Sequence, residues 1–200
     1  MIGILGGTFN PLHNGHILLA KGAAEQCGFE KVLLIPANVP PHKAAPDLAP
    51  AEDRLELCRL AAEECGLFEV CDIEIRRQGR SYTSDTLEEL TALHPGESFA
   101  LIMGADMFFT LHQWVRWRDI LRLAAICASP REGYQGDFEE YAEMLRAEGG
   151  RVLLPRLELP EISSTELRRR LADGGDVSGM IPERLLEYIR RNGLYVKNDG

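Results

Sequence analysis

The sequence predicts an α/β fold in which a doubly wound parallel sheet carries helices on both of its faces. Short apolar runs alternate with longer amphipathic segments along the chain, as expected for buried parallel strands joined by helical crossovers. The chain has 200 residues, of which 45% are apolar and 26% charged. Such a chain has an ordinary globular composition and buries a large core without disulfides.

Six apolar segments are predicted strands. The first, at 2–5, ends at Gly6 and Gly7, a pair that indicates a tight turn. The other five are 31–36, 68–75, 98–104, 124–128 and 152–154. Ligands of such sheets bind outside the carboxyl ends of the strands, so the segments that follow these strands are the places to search for a site.

The intervening segments are predicted helices. Asn14 can cap the first of them, which starts near Gly15 and stops at Gly28. Further helices are expected at 50–65, from Ser84 or Asp85 to 93, in two short pieces between 105 and 122, and at 137–148, 164–172 and 182–192. Since neither a repeat nor a long linker interrupts this alternation, residues 1–200 are expected to form one Rossmann-like domain.

Charge and cysteine content bound the function. With 22 basic and 31 acidic residues the net charge is −9, so binding of nucleic acid through a broad basic face is not expected. The five cysteines are odd in number and lack C-x-x-C spacing, which is typical of reduced thiols in a cytosolic protein. The sequence shows no signal peptide and no sufficiently apolar span. A cytoplasmic location without membrane association is therefore expected.

The segment 6–16, GGTFNPLHNGH, joins the first strand to the first helix. Gly6 and Gly7 allow a phosphate to approach the backbone, and Thr8 adds a hydroxyl. His13 and His16 lie at the start of the helix, where free N–H groups attract anions. The segment matches neither the dinucleotide fingerprint nor the Walker A loop, and its histidines lack the spacing of a zinc site. It is predicted to bind phosphate.

A second anion-binding segment is predicted at 161–171, EISSTELRRRL. Ser163 followed by Glu166 has the form of a capping box. Ser164, Thr165 and the first-turn N–H groups would cradle a phosphate. Of the three consecutive arginines, only Arg168 is predicted to reach it, because successive residues diverge by about 100° around a helix.

Together these two segments resemble the nucleotidylyltransferase superfamily. That resemblance implies catalytic roles for His13, His16 and Arg168. It implies an ATP site made by Gly6, Gly7, Thr8, Phe9, His16, Gly104, Asp106, Ser163, Ser164, Thr165 and Arg168.

The middle of the chain narrows the resemblance to the bacterial nicotinate mononucleotide adenylyltransferases. The segments concerned are NVPPHK (38–43), SYTSDTL (81–87), GADMFFTLHQW (104–114) and IPERLLEYIRRNGLY (181–195). The resemblance implies that Thr83 and the backbone at Val115 hold the nicotinate carboxylate and that Trp114 stacks on the pyridine ring. The remaining mononucleotide-binding residues would be His42, Lys43 and Arg131, and the C-terminal helices at about 163–193 would complete the site.

Three residues depart from the usual pattern. Asn10 replaces an aspartate, Val115 an aromatic residue, and Glu132 the proline of an R-P-G segment, which weakens the phosphate role of Arg131. A backbone contact survives a change of side chain, so Asn10 and Val115 leave the resemblance intact.

The implied reaction is ATP + nicotinate mononucleotide → nicotinate adenine dinucleotide + pyrophosphate. Magnesium would accompany ATP, held mainly by the substrate phosphates, and neither an organic cofactor nor a protein metal site is expected. Three alternatives stay open: joining phosphopantetheine to AMP or a sugar or polyol phosphate to CMP, preferring the nicotinamide mononucleotide, or binding nucleotide as an inactive regulator. The sequence leaves the oligomeric state undetermined.

Overall fold

Six parallel strands form the centre of the molecule in a computed structural model that describes residues 1–39, 47–130 and 137–196. The strands are β1 (Ile2–Gly7), β2 (Lys31–Pro36), β3 (Phe68–Val70), β4 (Phe99–Met103), β5 (Ala124–Ala128) and β6 (Val152–Leu153). Their order in the sheet is β3-β2-β1-β4-β5-β6, and all five pairings are parallel. The predicted doubly wound α/β fold is confirmed.

Nine helices connect or flank the strands within the described residues. They are α1 (Asn14–Cys27), α2 (Ala51–Glu63), α3 (Ile73–Arg77), α4 (Thr83–Leu93), α5 (Ala105–Phe108), α6 (Trp117–Leu123), α7 (Phe138–Ala147), α8 (Ser164–Ala172) and α9 (Glu183–Arg191). A short 3₁₀ turn covers Leu111–Gln113. As predicted, Gly28 ends α1 in the left-handed conformation that glycine adopts without strain.

Each face of the sheet carries its own hydrophobic core, because successive residues of a strand point to opposite faces. On one face, Leu5 and Leu34 pack with residues of α1, α2, α8 and α9. On the other face, Ile4 and Leu33 pack with residues of α4, α5, α6 and α7. The helices on both faces are therefore anchored on one sheet.

The predicted strand at 68–75 is wrong in its second half. β3 stops at Val70, and the chain turns into α3, whose Glu74 is buried. The sequence pattern was ambiguous because β3 is an edge strand. In addition, the buried carboxyl of Glu74 has its hydrogen-bond donor, Thr86, on α4, which is distant along the chain.

The predicted helix starts also shift. His13, not Asn14, is the N-cap of α1, and Asn14 Nδ2 instead donates to the carbonyl of Gly179 at 2.7 Å. α4 begins at Thr83 with Tyr82 as its N-cap, so neither Ser84 nor Asp85 caps it. In the part of the chain described here, none of the helices has the length and apolar character needed to cross a membrane.

Candidate active site

The carboxyl ends of β1 and β4 meet at the centre of the sheet, where the strand order reverses. In such sheets this point is the usual ligand crevice. Gly6 and Gly104 border open space there, since a Cβ built on either glycine would meet no atom within 4 Å. Gly7 has a different role, because a Cβ on it would lie 2.9 Å from the Phe9 ring. The loops after β1 and β4 thus leave room for a ligand against their backbones.

His13 and His16 form a stacked pair at the start of α1. Their ring centroids are 3.7 Å apart and their planes 28° from parallel, and the Phe9 ring meets His16 edge-on at 5.3 Å. Gly15 makes room for the pair, since a Cβ there would lie 3.0 Å from His13 Nδ1. The Nδ1 atoms of both histidines are buried without a hydrogen-bond partner among the described residues. A buried polar atom without a partner calls for an explanation, such as a catalytic role or a bound water or ion.

Both imidazoles are neutral at pH 7. Burial lowers the pKa of His13 to about 4. Burial, together with the neighbouring charge of His13, lowers the pKa of His16 well below its usual 6.5. The pair therefore offers hydrogen bonds to an anion rather than a permanent positive charge.

These low pKa values predict a loss of stability in mild acid. Between pH 6.5 and 4, His13 is protonated in the unfolded chain but stays neutral in the folded chain. The free energy of unfolding therefore falls as the pH is lowered. We expect a drop of roughly 2 kcal/mol from His13 alone between pH 7 and 5. Urea unfolding at both pH values measures it. A double variant, His13→Gln with His16→Gln, should show a smaller pH slope, and an equal slope would contradict the burial of the pair.

Arg168 joins α8 to the loop after β1. Its Nη1 donates to the carbonyl of Asn10 at 2.9 Å, and its Nη2 lies 3.5 Å from Thr165 Oγ1. Its Nε is buried without a partner among the described residues. Ser164 Oγ donates weakly to the Pro11 carbonyl at 3.5 Å. The second predicted anion-binding segment therefore lies directly on the first.

The predicted capping box at Ser163 is not formed. Ser163 is the N-cap of α8 but its side chain caps no N–H. Glu166 instead binds Arg169 and Arg170, which lower its pKa to about 2. Two guanidinium groups are stronger partners for a carboxylate than one N-cap amide. Glu166 thereby holds Arg169 and Arg170 on a side of α8 that differs from that of Arg168, as the helical spacing predicted.

The N–H of Asn14, at the start of α1, already has a partner. It donates to the carbonyl of Met180 at 2.9 Å. Together with the bond from the Asn14 side chain to Gly179, this contact fastens the segment before α9 onto the start of α1. That N–H is therefore not available to a phosphate.

Arg54 and the side chain of Asn10 were missed by the sequence analysis. Arg54 is fully buried, and its guanidinium donates to the carbonyls of Thr8, Ala37, Asn38 and Ala49 at 2.5–3.1 Å. Asn10 accepts from the N–H of Ala49 at 3.0 Å and donates to the Asp47 carbonyl at 2.9 Å. An aspartate could accept but not donate, so an amide suits this position.

Thr83 and Trp114 belong to two segments that Arg116 joins. Thr83 is the first residue of α4, and Trp114 lies half-buried before α6. Arg116 reaches from the Trp114 segment to α4, where it binds Glu88 and lies 3.5 Å from Asp85. Trp114 packs against the core on the α4–α7 face of the sheet but is only partly buried. Its ring therefore stays partly accessible, as stacking on a ligand requires.

The other predicted residues are either exposed or outside the described residues. Asp106 is exposed in the first turn of α5, and Val115 is 48% exposed beside Trp114. His42, Lys43 and Arg131 lie outside the described residues. Over 1–39, 47–130 and 137–196, no cluster of three or more His, Cys, Asp or Glu side chains is arranged to hold a metal ion.

Comparison with known proteins identifies the family. The cytidylyltransferase-like family model matches residues 4–170. A curated relative in Desulfitobacterium hafniense, named "Probable nicotinate-nucleotide adenylyltransferase", is 38% identical over 97% of this chain and 95% of its own. A relative of the same name in Shewanella pealeana is 35% identical over the same shares.

Solved structures show the same fold. The Plasmodium falciparum nicotinic acid mononucleotide adenylyltransferase complexed with APC superposes with a TM-score of 0.77 at 18% identity, over 97% of this chain and 96% of that chain. Its complex with NaAD gives 0.78 at the same identity and coverage. With the sequence matches over nearly full length, the chain belongs to the cytidylyltransferase-like family and, within it, to the nicotinate-nucleotide adenylyltransferases.

Proposed function

We propose that this protein transfers the adenylyl group of ATP to nicotinate mononucleotide, giving nicotinate adenine dinucleotide and pyrophosphate, a step of NAD biosynthesis. One observation carries the proposal: a buried, unsatisfied histidine pair and Arg168 converge at the switch point of the sheet. The names of the full-length relatives supply the substrates.

The proposed step is an in-line attack of the mononucleotide phosphate on the α-phosphorus of ATP, without a covalent enzyme intermediate. A phosphate monoester has its second pKa near ~6, so the attacking group is already a dianion at pH 7 and needs no general base. Neutral His13 and His16 suit this role, because each offers an N–H to a phosphoryl oxygen and neither is required to remove a proton.

Arg168 would supply the positive charge that the histidines lack. Its guanidinium already lies over the loop at Asn10, from where it would bind an oxygen of the triphosphate. Gly6, Gly7, Thr8, Phe9, Gly104, Asp106, Ser163, Ser164 and Thr165 would complete the ATP site. Magnesium would arrive with ATP as part of the substrate, held mainly by its phosphates, and would neutralise the departing pyrophosphate.

The mononucleotide would lie across the start of α4. Its cationic pyridinium ring would stack on Trp114, and its carboxylate would accept N–H groups near Thr83 and Val115. A carboxamide would leave one donor unpaired at a cost of ~1–3 kcal/mol. His42, Lys43 and Arg131 are proposed for the phosphate from the resemblance alone.

We also propose that the chain works as one domain in the cytoplasm. The bonds from Asn14 to Gly179 and from Arg168 to Asn10 support the first point, because they seat the C-terminal helices on the phosphate loop. The five cysteines are all free, which supports a reducing compartment.

A single assay tests the reaction. Pyrophosphate release from MgATP is followed with nicotinate mononucleotide, nicotinamide mononucleotide and phosphopantetheine in parallel. We expect the acid to be used in preference to the amide by roughly two to four powers of ten, and phosphopantetheine not to be used. Turnover of phosphopantetheine alone would overturn the proposal, and equal use of acid and amide would overturn the carboxylate pocket only.

Trp114→Ala should separate the two substrates. Loss of stacking and cation–π attraction, worth about 0.5–2 kcal/mol, should raise the KM for nicotinate mononucleotide roughly 2- to 30-fold, with the KM for ATP nearly unchanged. The preference for acid over amide should largely persist, because it resides in backbone N–H groups. Trp117→Ala serves as the control, since Trp117 is a partly buried residue of α6 whose ring contacts Arg118. A matching KM change in both variants would contradict the stacking role.

A further inference from the structure

α3 carries a buried carboxylate that the proposed chemistry does not use. Glu74 is 7% exposed and lies beside two hydroxyls, those of Ser81 and Thr86. Burial raises its pKa, and the hydrogen bonds from Thr86 and Ser81 and the charge of Arg77 oppose that rise. A carboxylate placed so deep is costly to keep unless every partner is oriented towards it.

The direction of each hydrogen bond follows from the donors. Arg77 Nη2 lies 2.9 Å from Thr86 Oγ1 and can only donate, so Thr86 accepts there and gives its own proton to Glu74 at 2.7 Å. Ser81 Oγ accepts from the N–H of Asn38 at 3.0 Å, which leaves its own proton for Glu74, and this hydroxyl helps to oppose the rise in the pKa of Glu74. Both hydroxyls are oriented to give their protons to Glu74, which favours its ionised form.

The bonds around Glu74 join two segments of the proposed mononucleotide subsite. Asn38 follows the carboxyl end of β2, and Ser81 lies two residues before Thr83. The two segments are further bridged by Ser81 N–H to the Val39 carbonyl at 3.1 Å and by Asn38 Nδ2 to the Gly79 carbonyl at 3.3 Å. The orientation of the first turn of α4 therefore depends on what holds Ser81 and Thr86.

We infer that Glu74 is a positioning residue for the pyridine mononucleotide: through Ser81 and Thr86 its carboxylate fixes the start of α4 against the end of β2, where the substrate carboxylate binds. This inference rests on the proposed function, since it takes Thr83 as the contact of the nicotinate group. Glu74 itself touches no reacting atom.

Glu74→Gln tests the inference because it keeps the shape and changes only the hydrogen bonding. The amide has a single acceptor oxygen, so it does not present one oxygen to each of the two hydroxyls. Its NH₂ group instead faces a hydroxyl that is itself a donor. Thr86 has a second acceptor in the Tyr82 carbonyl at 3.2 Å, so Ser81 is the group expected to shift. We expect the KM for nicotinate mononucleotide to rise 5- to 30-fold, the KM for ATP to stay within 2-fold, and the preference for acid over amide to shrink.

Two further variants make the test specific. Ser81→Ala should reproduce the KM change, and the double variant should be no worse than the more affected single one, because both changes break the same link. Glu89→Gln is the matched control: Glu89 binds the same Arg77 at 2.6 Å from α4 but lies at the surface. It should leave both KM values unchanged.

The outcomes separate the inference from the proposed function. A lower melting temperature in Glu74→Gln with unchanged KM values, in an active wild type, would make Glu74 a structural residue and overturn the inference alone. If Glu74→Gln fails to fold, Ser81→Ala decides by the same KM ratio. A wild type that does not use nicotinate mononucleotide would overturn both.

Discussion

His16→Ala is expected to lower turnover by roughly 10²–10⁴, the range for a group that stabilises developing charge. The His16 ring meets Phe9 edge-on and stacks on His13, with the two imidazole centroids 3.7 Å apart. Its Nδ1 is buried without a partner among the described residues, and removing the ring removes the N–H that is proposed to bind a phosphoryl oxygen. Steady-state pyrophosphate release at saturating substrates measures the change.

The fold of this variant should survive, because no described hydrogen bond from the His16 side chain joins it to another element. Circular dichroism and the melting temperature check this. His94→Ala is the control, since His94 is an exposed histidine beyond the end of α4 and should retain full turnover. Near-normal turnover of a folded His16→Ala protein would contradict the catalytic role.

Arg168→Ala is expected to lower kcat/KM for ATP by about 10², because a charge-assisted hydrogen bond to phosphate contributes about 1.5–3 kcal/mol. The loss has two sources: the guanidinium would bind the triphosphate, and its Nη1 bond to Asn10 holds α8 on the loop. Arg168→Lys should recover only part of the activity, because an ammonium lacks the planar fork.

The neighbouring arginines provide the matched controls. Arg169 and Arg170 have the same charge on the same helix, and both bind Glu166 at the surface. Exposed pairs of this kind are screened by water and contribute little. Arg169→Ala and Arg170→Ala should therefore change kcat/KM by less than 3-fold. Equal losses at all three positions would indicate a diffuse basic patch.

Local sequence patterns predicted the strands, the histidine pair and the separate orientation of Arg168. The apolar runs and their flanking glycines located all six strands, and the spacing of His13 and His16 placed both rings at one helix start. The helix angle separated Arg168 from its neighbours. Each of these inferences used residues within a few positions of one another.

Contacts between distant segments defeated the same reasoning. Arg54 follows Glu52 and Asp53, so its surroundings in the sequence are typical of a solvated helix face, yet it is fully buried. Glu74 lies in a stretch whose alternation resembles a strand, and its partners come 7 and 12 residues later. Ser163 and Glu166 fit a capping box, but Glu166 binds Arg169 and Arg170 instead. Local sequence propensity does not indicate which tertiary partner a side chain will meet.

The four carbonyls bound by Arg54 have a consequence for local opening. Thr8 belongs to the loop after β1, Ala37 and Asn38 to the end of β2, and Ala49 to the approach to α2. If any one of these segments detaches, a buried cation loses an acceptor that water cannot easily replace. The segments are therefore expected to open together rather than fray one by one, so that the loop after β1, the end of β2 and the approach to α2 share a single cooperative unit of the native state.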